Sequence, residues 1–109
     1  MFTLPASADL SAAQFRAMVC NSSGQAAQAG AAAPIIGVLQ NKPSAANQAA
    51  TIMAEGVTMA QVGAAVAAGA SLETNASGQF ITLAAGIRVG IALQAATGAN
   101  QVISILLTR

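Results

Sequence analysis

Four turn-forming runs punctuate this chain: Asn-Ser-Ser-Gly at 21–24, Asn-Lys-Pro-Ser at 41–44, Asn-Ala-Ser-Gly at 75–78 and Thr-Gly-Ala-Asn at 97–100. Asn and Ser side chains bond nearby backbone amides, and Gly and Asn accept the left-handed conformations that reversals need. With further glycines between them, the breaks leave segments shorter than a typical helix. Alanine exceeds a quarter of the 109 residues and favours helix intrinsically, so composition alone predicts an all-α protein. The punctuation overrides it and predicts short strands.

Residues 15–20 alternate Phe15, Ala17 and Val19 with Arg16, Met18 and Cys20, and turn 21–24 leads into 25–29, which predicts a hairpin. Pro34 precedes the aliphatic run 35–40, a strand that starts just after a residue unable to donate to a ladder. Residues 50–53 and 56–62 are read as further strand, with Gly56 as a bulge and Thr58 and Gln61 as polar interruptions. Residues 71–80 predict strand, turn and strand, and "IRVGIALQ" and "VISILLT" supply two more strands. The fold class is therefore mainly β, a small β-barrel or β-sandwich built from hairpins, with room for one short helical segment near residues 64–68 that Gly69 would end.

"GVLQNKPSAANQAATIM" at 37–53 and "GIALQAATGANQVISIL" at 90–106 share one plan: Gly, aliphatics, Gln, a small or polar break, Ala-Asn-Gln, then a run with β-branched residues. Duplication would give the domain two similar walls. Coincidence in a chain rich in Ala, Gln and Ile is the alternative that stays open at this point.

One domain is expected from the length, with residues 1–9 as an extended N-terminal arm and 10–109 as a single β domain. Trp and Tyr are absent and only Phe2, Phe15 and Phe80 are aromatic, so each buried position contributes little. Charged residues make up 6% of the chain and the net charge is +1, against about 25% charged in ordinary domains. A surface so short of ions lacks the repulsion that keeps small domains apart, which points to assembly. Arg16, Lys42, Arg88 and Arg109 are scattered, so no nucleic acid is expected as a partner. No membrane span is expected, because the apolar run 62–70 falls far below the roughly 18–20 residues needed. The opening "MFTLPASADL" has neither a basic n-region nor a continuous apolar h-region, so no secretory signal is expected and synthesis in a cytoplasm follows. Asn21 and Asn75, each heading an N-x-S pattern, are accordingly read as turn residues, and the lone Cys20 as a small core residue.

The side chains of catalysis are missing. Histidine is absent, which removes the usual general base and the commonest transition-metal ligand. Asp9, Glu55 and Glu73 lie in three different predicted segments and suggest neither a catalytic dyad nor a cation cage. Cys20 has no His partner, no Ser sits in a nucleophile elbow, and neither Gly-rich phosphate cradle occurs. No enzyme, metal or cofactor is expected. The segment with Phe2, Thr3, Leu4 and Pro5 is apolar and stiff where a free tail is usually polar. It either docks on a neighbour or packs back on its own domain as an edge. Asp9, followed by Ser11, suits capping a short turn.

Four phrases in order, "FRAMVCNSSGQ", "IIGVLQNKP", "GVTMAQVGAAVAAGASLETNASGQ" and "VGIALQAATGANQVISILLT", make the chain from about residue 6 to 108 resemble the capsid decoration, or cement, proteins of tailed bacteriophages. The resemblance implies a mostly β, barrel-like or sandwich protein of the virion, made in the bacterial host cytoplasm. Such a protein is added to the outer surface of an expanded capsid, often as a homotrimer, where it binds the major capsid protein and holds neighbouring subunits together. No cofactor or reaction comes with it. By position, Phe2, Thr3, Leu4, Pro5 and Asp9 would match the family's terminal arm and contact the capsid or a neighbour. An alternative is a carrier domain similar to lipoyl or biotinyl modules, with Lys42, the only lysine, as the modified residue. A component of another self-assembling shell or sheath would share the physics of the first reading.

Overall fold

In a computed structural model that describes residues 1–31, 33–84 and 86–108, the short segments become ten strands in two antiparallel sheets. The first sheet holds β1 (Phe2–Pro5), β2 (Ala17–Cys20), β3 (Ala26–Gln28), β4 (Gly37–Leu39) and β5 (Ala49–Met53) in the order β1-β5-β4-β2-β3. The second holds β6 (Gly56–Gln61), β7 (Ser71–Thr74), β8 (Phe80–Thr82), β9 (Gly90–Ala92) and β10 (Val102–Leu107) in the order β6-β10-β9-β7-β8. The two orders are the same, strand for strand, so the chain is two copies of one lobe. The repeated phrase noticed in the sequence is the β4-turn-β5 and β9-turn-β10 portion of a duplication that spans the chain.

The repeat extends to hydrogen bonds. Asn21 Oδ1 accepts the amides of Ser23 and Gln25 at 3.0 and 2.8 Å, and Asn75 Oδ1 accepts those of Ser77 and Gln79 at 2.9 and 3.0 Å. Gly24 and Gly78 then supply the left-handed step, at φ 73° and 72°. In the longer connections, Asn47 and Asn100 take φ 69° and 67°, and the side chains of Gln48 and Gln101 accept the amides of Ser44 and Thr97. The amides of Thr51 and Ser104 likewise donate to the side chains of Asn41 and Gln94. These bonds place Gln40 of the first lobe in register with Leu93 of the second.

The lobes differ in how they are covered. Met18, Leu39, Ala50 and Ile52 point from the first sheet into the first lobe's own core, with Leu10 and Ala26. From the opposite face, Ala17, Val38 and the half-buried Met53 enter a second core built on Leu72, Phe80 and Ile105. The first sheet is thus covered on both faces. The second sheet has its inner face in that shared core and leaves large apolar side chains exposed elsewhere. The molecule is elongated, 36 × 23 × 22 Å.

Three expectations need correction. Residues 64–68 form no helix: the amides of Val66 and Ala96 donate to each other's carbonyls at 3.1 and 2.9 Å, which holds the segment extended beside its partner. Gly56 is no bulge within one strand, because at φ 92° it opens β6 where the chain leaves one sheet for the other. Cys20 is exposed at the end of β2, beside turn 21–24, and not in the core. Between the barrel and sandwich forms the arrangement is sandwich-like, with neither sheet closing on itself.

Turn 75–78 is also a joint between lobes, since the Ser77 carbonyl accepts Arg16 Nη1 at 3.4 Å and the Gly78 carbonyl accepts the Ala17 amide at 2.8 Å, while within the second lobe Gln79 Nε2 donates to Gln61 Oε1 at 2.9 Å and to Asn100 Oδ1 at 2.7 Å. Asn21→Ala should cost about 1 kcal/mol and Asn75→Ala about 2 kcal/mol, because loss of the second also unseats buried Gln79. Urea denaturation of both variants checks the order.

Candidate functional site

Phe2–Pro5 forms the outer strand of the first sheet, antiparallel to β5 with Phe2 opposite Ile52, Thr3 opposite Thr51, Leu4 opposite Ala50 and Pro5 opposite Ala49. Leu4 packs on the first core, while Phe2, Thr3 and Pro5 are exposed. Pro on an edge strand, with no amide to donate, suits a strand whose outer side has no ladder partner. Asp9 lies beyond this strand, in the connection that leads to Leu10. Its Oδ1 accepts the Ser11 hydroxyl at 2.6 Å and the Ser11 amide at 2.9 Å.

The Ser11 hydroxyl, and after it the Ser11 amide, hold the Asp9 carboxyl below the usual carboxylate range. A lowered folded-state pKa adds stability that is present above the ordinary value of 3.8 and is lost as pH falls through the lowered one. Ser11→Ala should move the Asp9 pKa upward, as read from an NMR pH titration of its carboxyl carbon.

A second surface escaped sequence reasoning. On the outer side of the β6 and β10 pair, Val57 is 58% exposed, Met59 42% and Val102 39%, with Met59 opposite Ser104 and Val57 opposite Leu106. The usual parity is inverted here. Thr58 points inward at 6% exposure, where its Oγ1 accepts Gln40 Nε2 at 2.9 Å from the other lobe. The signal in the sequence is the alternation of Val57 and Met59 against Thr58 and Ala60, which the polar Thr58 disguises as an interrupted strand.

The charged side chains of the described residues do not converge on a reaction centre. Arg16 is consumed at the lobe junction, donating from Nε to Gln61 Oε1 at 2.9 Å and from Nη1 to Gln28 Oε1 at 3.3 Å and Ser77 O at 3.4 Å. Glu73 is buried and accepts the Ala84 amide at 2.5 Å. Glu55 lines a shallow cleft with Ala54, Gly56, Leu107 and Thr108, and is the titratable one among these described residues. The described residues contain no group of three His, Cys, Asp or Glu side chains placed to share a metal ion. Lys42 is exposed within the connection 40–48, next to the buried Pro43, whose carbonyl accepts the Leu10 amide at 2.8 Å. A carrier lysine is displayed at the tip of a tight hairpin, which this connection is not.

The model of a family described as phage cement protein matches residues 2–107. The chain belongs to the phage cement protein family. This family is structural and associated with the phage capsid, so a virion role replaces the carrier alternative on Lys42. The fold of this cement-family chain is similar to the crystal structure of the head fiber gp8.5 N base of bacteriophage phi29, with a TM-score of 0.80 and 13% identity. That likeness covers 98% of this chain and 92% of the other. No curated protein sequence matches it.

Proposed function

We propose that this chain sits on the outer surface of an expanded phage capsid, where homotrimers bind neighbouring major capsid subunits and bridge them. It is made in the bacterial host cytoplasm, takes no cofactor and catalyses no reaction. The observation that carries this reading is the uncharged patch of Val57, Met59 and Val102 on a member of the cement family. In the first lobe the counterparts are Met1, Thr3 and Ala49, so a Thr and an Ala stand where the second lobe presents Met59 and Val102.

Contact through such a patch desolvates few ions, and the modest energy of each site is multiplied over many sites on a shell. Ligation of neighbours resists bursting because the bound state holds both subunits at once. The edge strand with Phe2, Thr3, Leu4 and Pro5, and Asp9 beyond it, supplies contact to the shell or to a neighbouring copy.

Purified chain should co-sediment with expanded shells, saturate, and raise the temperature at which they break. Val57→Asp with Met59→Asp should keep the fold, since both side chains are exposed, and lose binding. Absence of binding across physiological salt contradicts the proposal.

A further inference from the structure

The two lobes join head to tail. Turn 75–78 of the second lobe seats on the β2 and β3 end of the first: Gly78 is buried, and its carbonyl accepts the Ala17 amide at 2.8 Å. A Cβ on Gly78 would lie 2.9 Å from Gln28 Cγ and 3.2 Å from the carbonyl oxygens of Ala17 and Ala29. Beside this seat, Val38 is fully buried and Gln40 bonds Thr58.

The internal repeat makes Ser71, Thr82, Leu83 and Ile91 the counterparts of Ala17, Gln28, Ala29 and Val38. No turn of the described residues fills this second seat: Ser71, Leu83 and Ile91 are half-buried, Thr82 is exposed, and Leu93, the counterpart of Gln40, is 46% exposed. The matching turn, 21–24, is equally unused, because a Cβ on Gly24 would meet nothing within 4 Å. A two-fold junction would have filled both seats. A heterologous junction instead leaves a free turn on one lobe and a free seat on the other, and such contacts propagate until they close.

We propose that a second copy of this chain occupies the free seat, turn 21–24 of one copy docking on the Ser71, Leu83 and Ile91 face of the next, and that the copies close into a ring of alternating lobes. The substitutions between the two seats favour this occupant. Within the chain, Thr58 meets Gln40 as a polar pair. Phe2 holds the place of Thr58, opposite Ile52 as Thr58 is opposite Ile105, and Leu93 holds that of Gln40. Between copies the pair becomes Phe2 on Leu93, two apolar side chains exposed at 37% and 46%. Apolar replaces apolar-compatible polar on both partners at once, and the contact takes the outer-strand Phe2 as a neighbour contact. Ring size rests on the homotrimer proposed above; the docking face does not.

The test is disulfide trapping in a Cys20→Ser background, with Gly24→Cys and Thr82→Cys made on separate chains. Mixed chains should cross-link, neither variant alone should, and the doubly substituted chain should trap one closed species that migrates as a trimer. Leu93→Asp should dissociate the oligomer by native mass spectrometry and leave the melting of the subunit unchanged. An oligomer that neither cross-links this way nor responds to Leu93→Asp overturns the docking face and leaves the homotrimer standing, as does Gly24→Cys that cross-links to itself. A native chain that stays monomeric at millimolar concentration overturns both.

Discussion

Phe80→Ala is expected to lower the free energy of unfolding by about 3–5 kcal/mol, the range for removing a large aromatic from a close-packed core. Phe80 is the fully buried aromatic of the described residues, the largest side chain in the core shared by the two lobes. It also lies opposite Thr74 across the β7 and β8 hairpin and beside Val62 in a parallel bridge. The loss therefore falls on packing inside the second lobe and between the lobes together. Five of the fifteen buried residues of that core are Ala, whose short side chains cannot reach in to fill the space. A domain of this size holds about 5–15 kcal/mol in all, so the variant should unfold at a much lower urea concentration with a similar slope. Phe2→Ala, at an exposed edge, should leave the isolated subunit within about 0.5 kcal/mol of wild type.

Gly37→Ala is expected to cost about 3 kcal/mol, the upper end for forcing atoms into an occupied site. A Cβ there would lie 2.3 Å from the Met53 carbonyl oxygen and 2.6 Å from Ile52 Cγ2, and the first of these is backbone. Relief requires β4 to move away from β5, which breaks the centre of the first sheet. A Cβ on Gly90, its counterpart, would lie 2.9 Å from the Leu106 carbonyl oxygen, so Gly90→Ala should cost less, about 2 kcal/mol. Gly24→Ala meets open space and is penalised only for its φ of 73°, about 1 kcal/mol. Thermal melts should rank the three in that order, at roughly 4–8 °C per kcal/mol for a chain of about this length.

Much of the architecture was legible because turn chemistry is local. Asn21 and Asn75 bond amides two and four residues on, so the hairpins β2–β3 and β7–β8 could be read from their turns alone. The duplication was visible where its glycines are needed, at Gly37 and Gly90, and was obscured where the lobes had to differ. Phe15 is the clearest case: it takes φ 67°, a left-handed conformation that costs a bulky residue about 1–3 kcal/mol, where the second lobe has Gly69 at φ 85°. Both amides make the same bond, Phe15 to the Leu39 carbonyl and Gly69 to that of Ala92. No alignment of side chains would pair a Phe with a Gly.

What stayed hidden depends on contacts distant in sequence. Residues 64–68 have helical composition, yet Val66 is held straight by Ala96. The outward Val57 and Met59 could not be told from core residues until Thr58 was seen facing Gln40 in the other lobe. The same nonlocality explains why the free receiving face of the second lobe emerges only by comparison with the first, whose equivalent face is covered.

Electron cryomicroscopy of expanded shells decorated with the full chain tests the central claim most directly. Density for the two-lobed subunit should appear on the outside of the shell, with the Val57, Met59 and Val102 side against it and each oligomer spanning more than one major capsid subunit. Bare exteriors at saturating concentration, or oligomers that each rest on a single capsid subunit, would contradict the account.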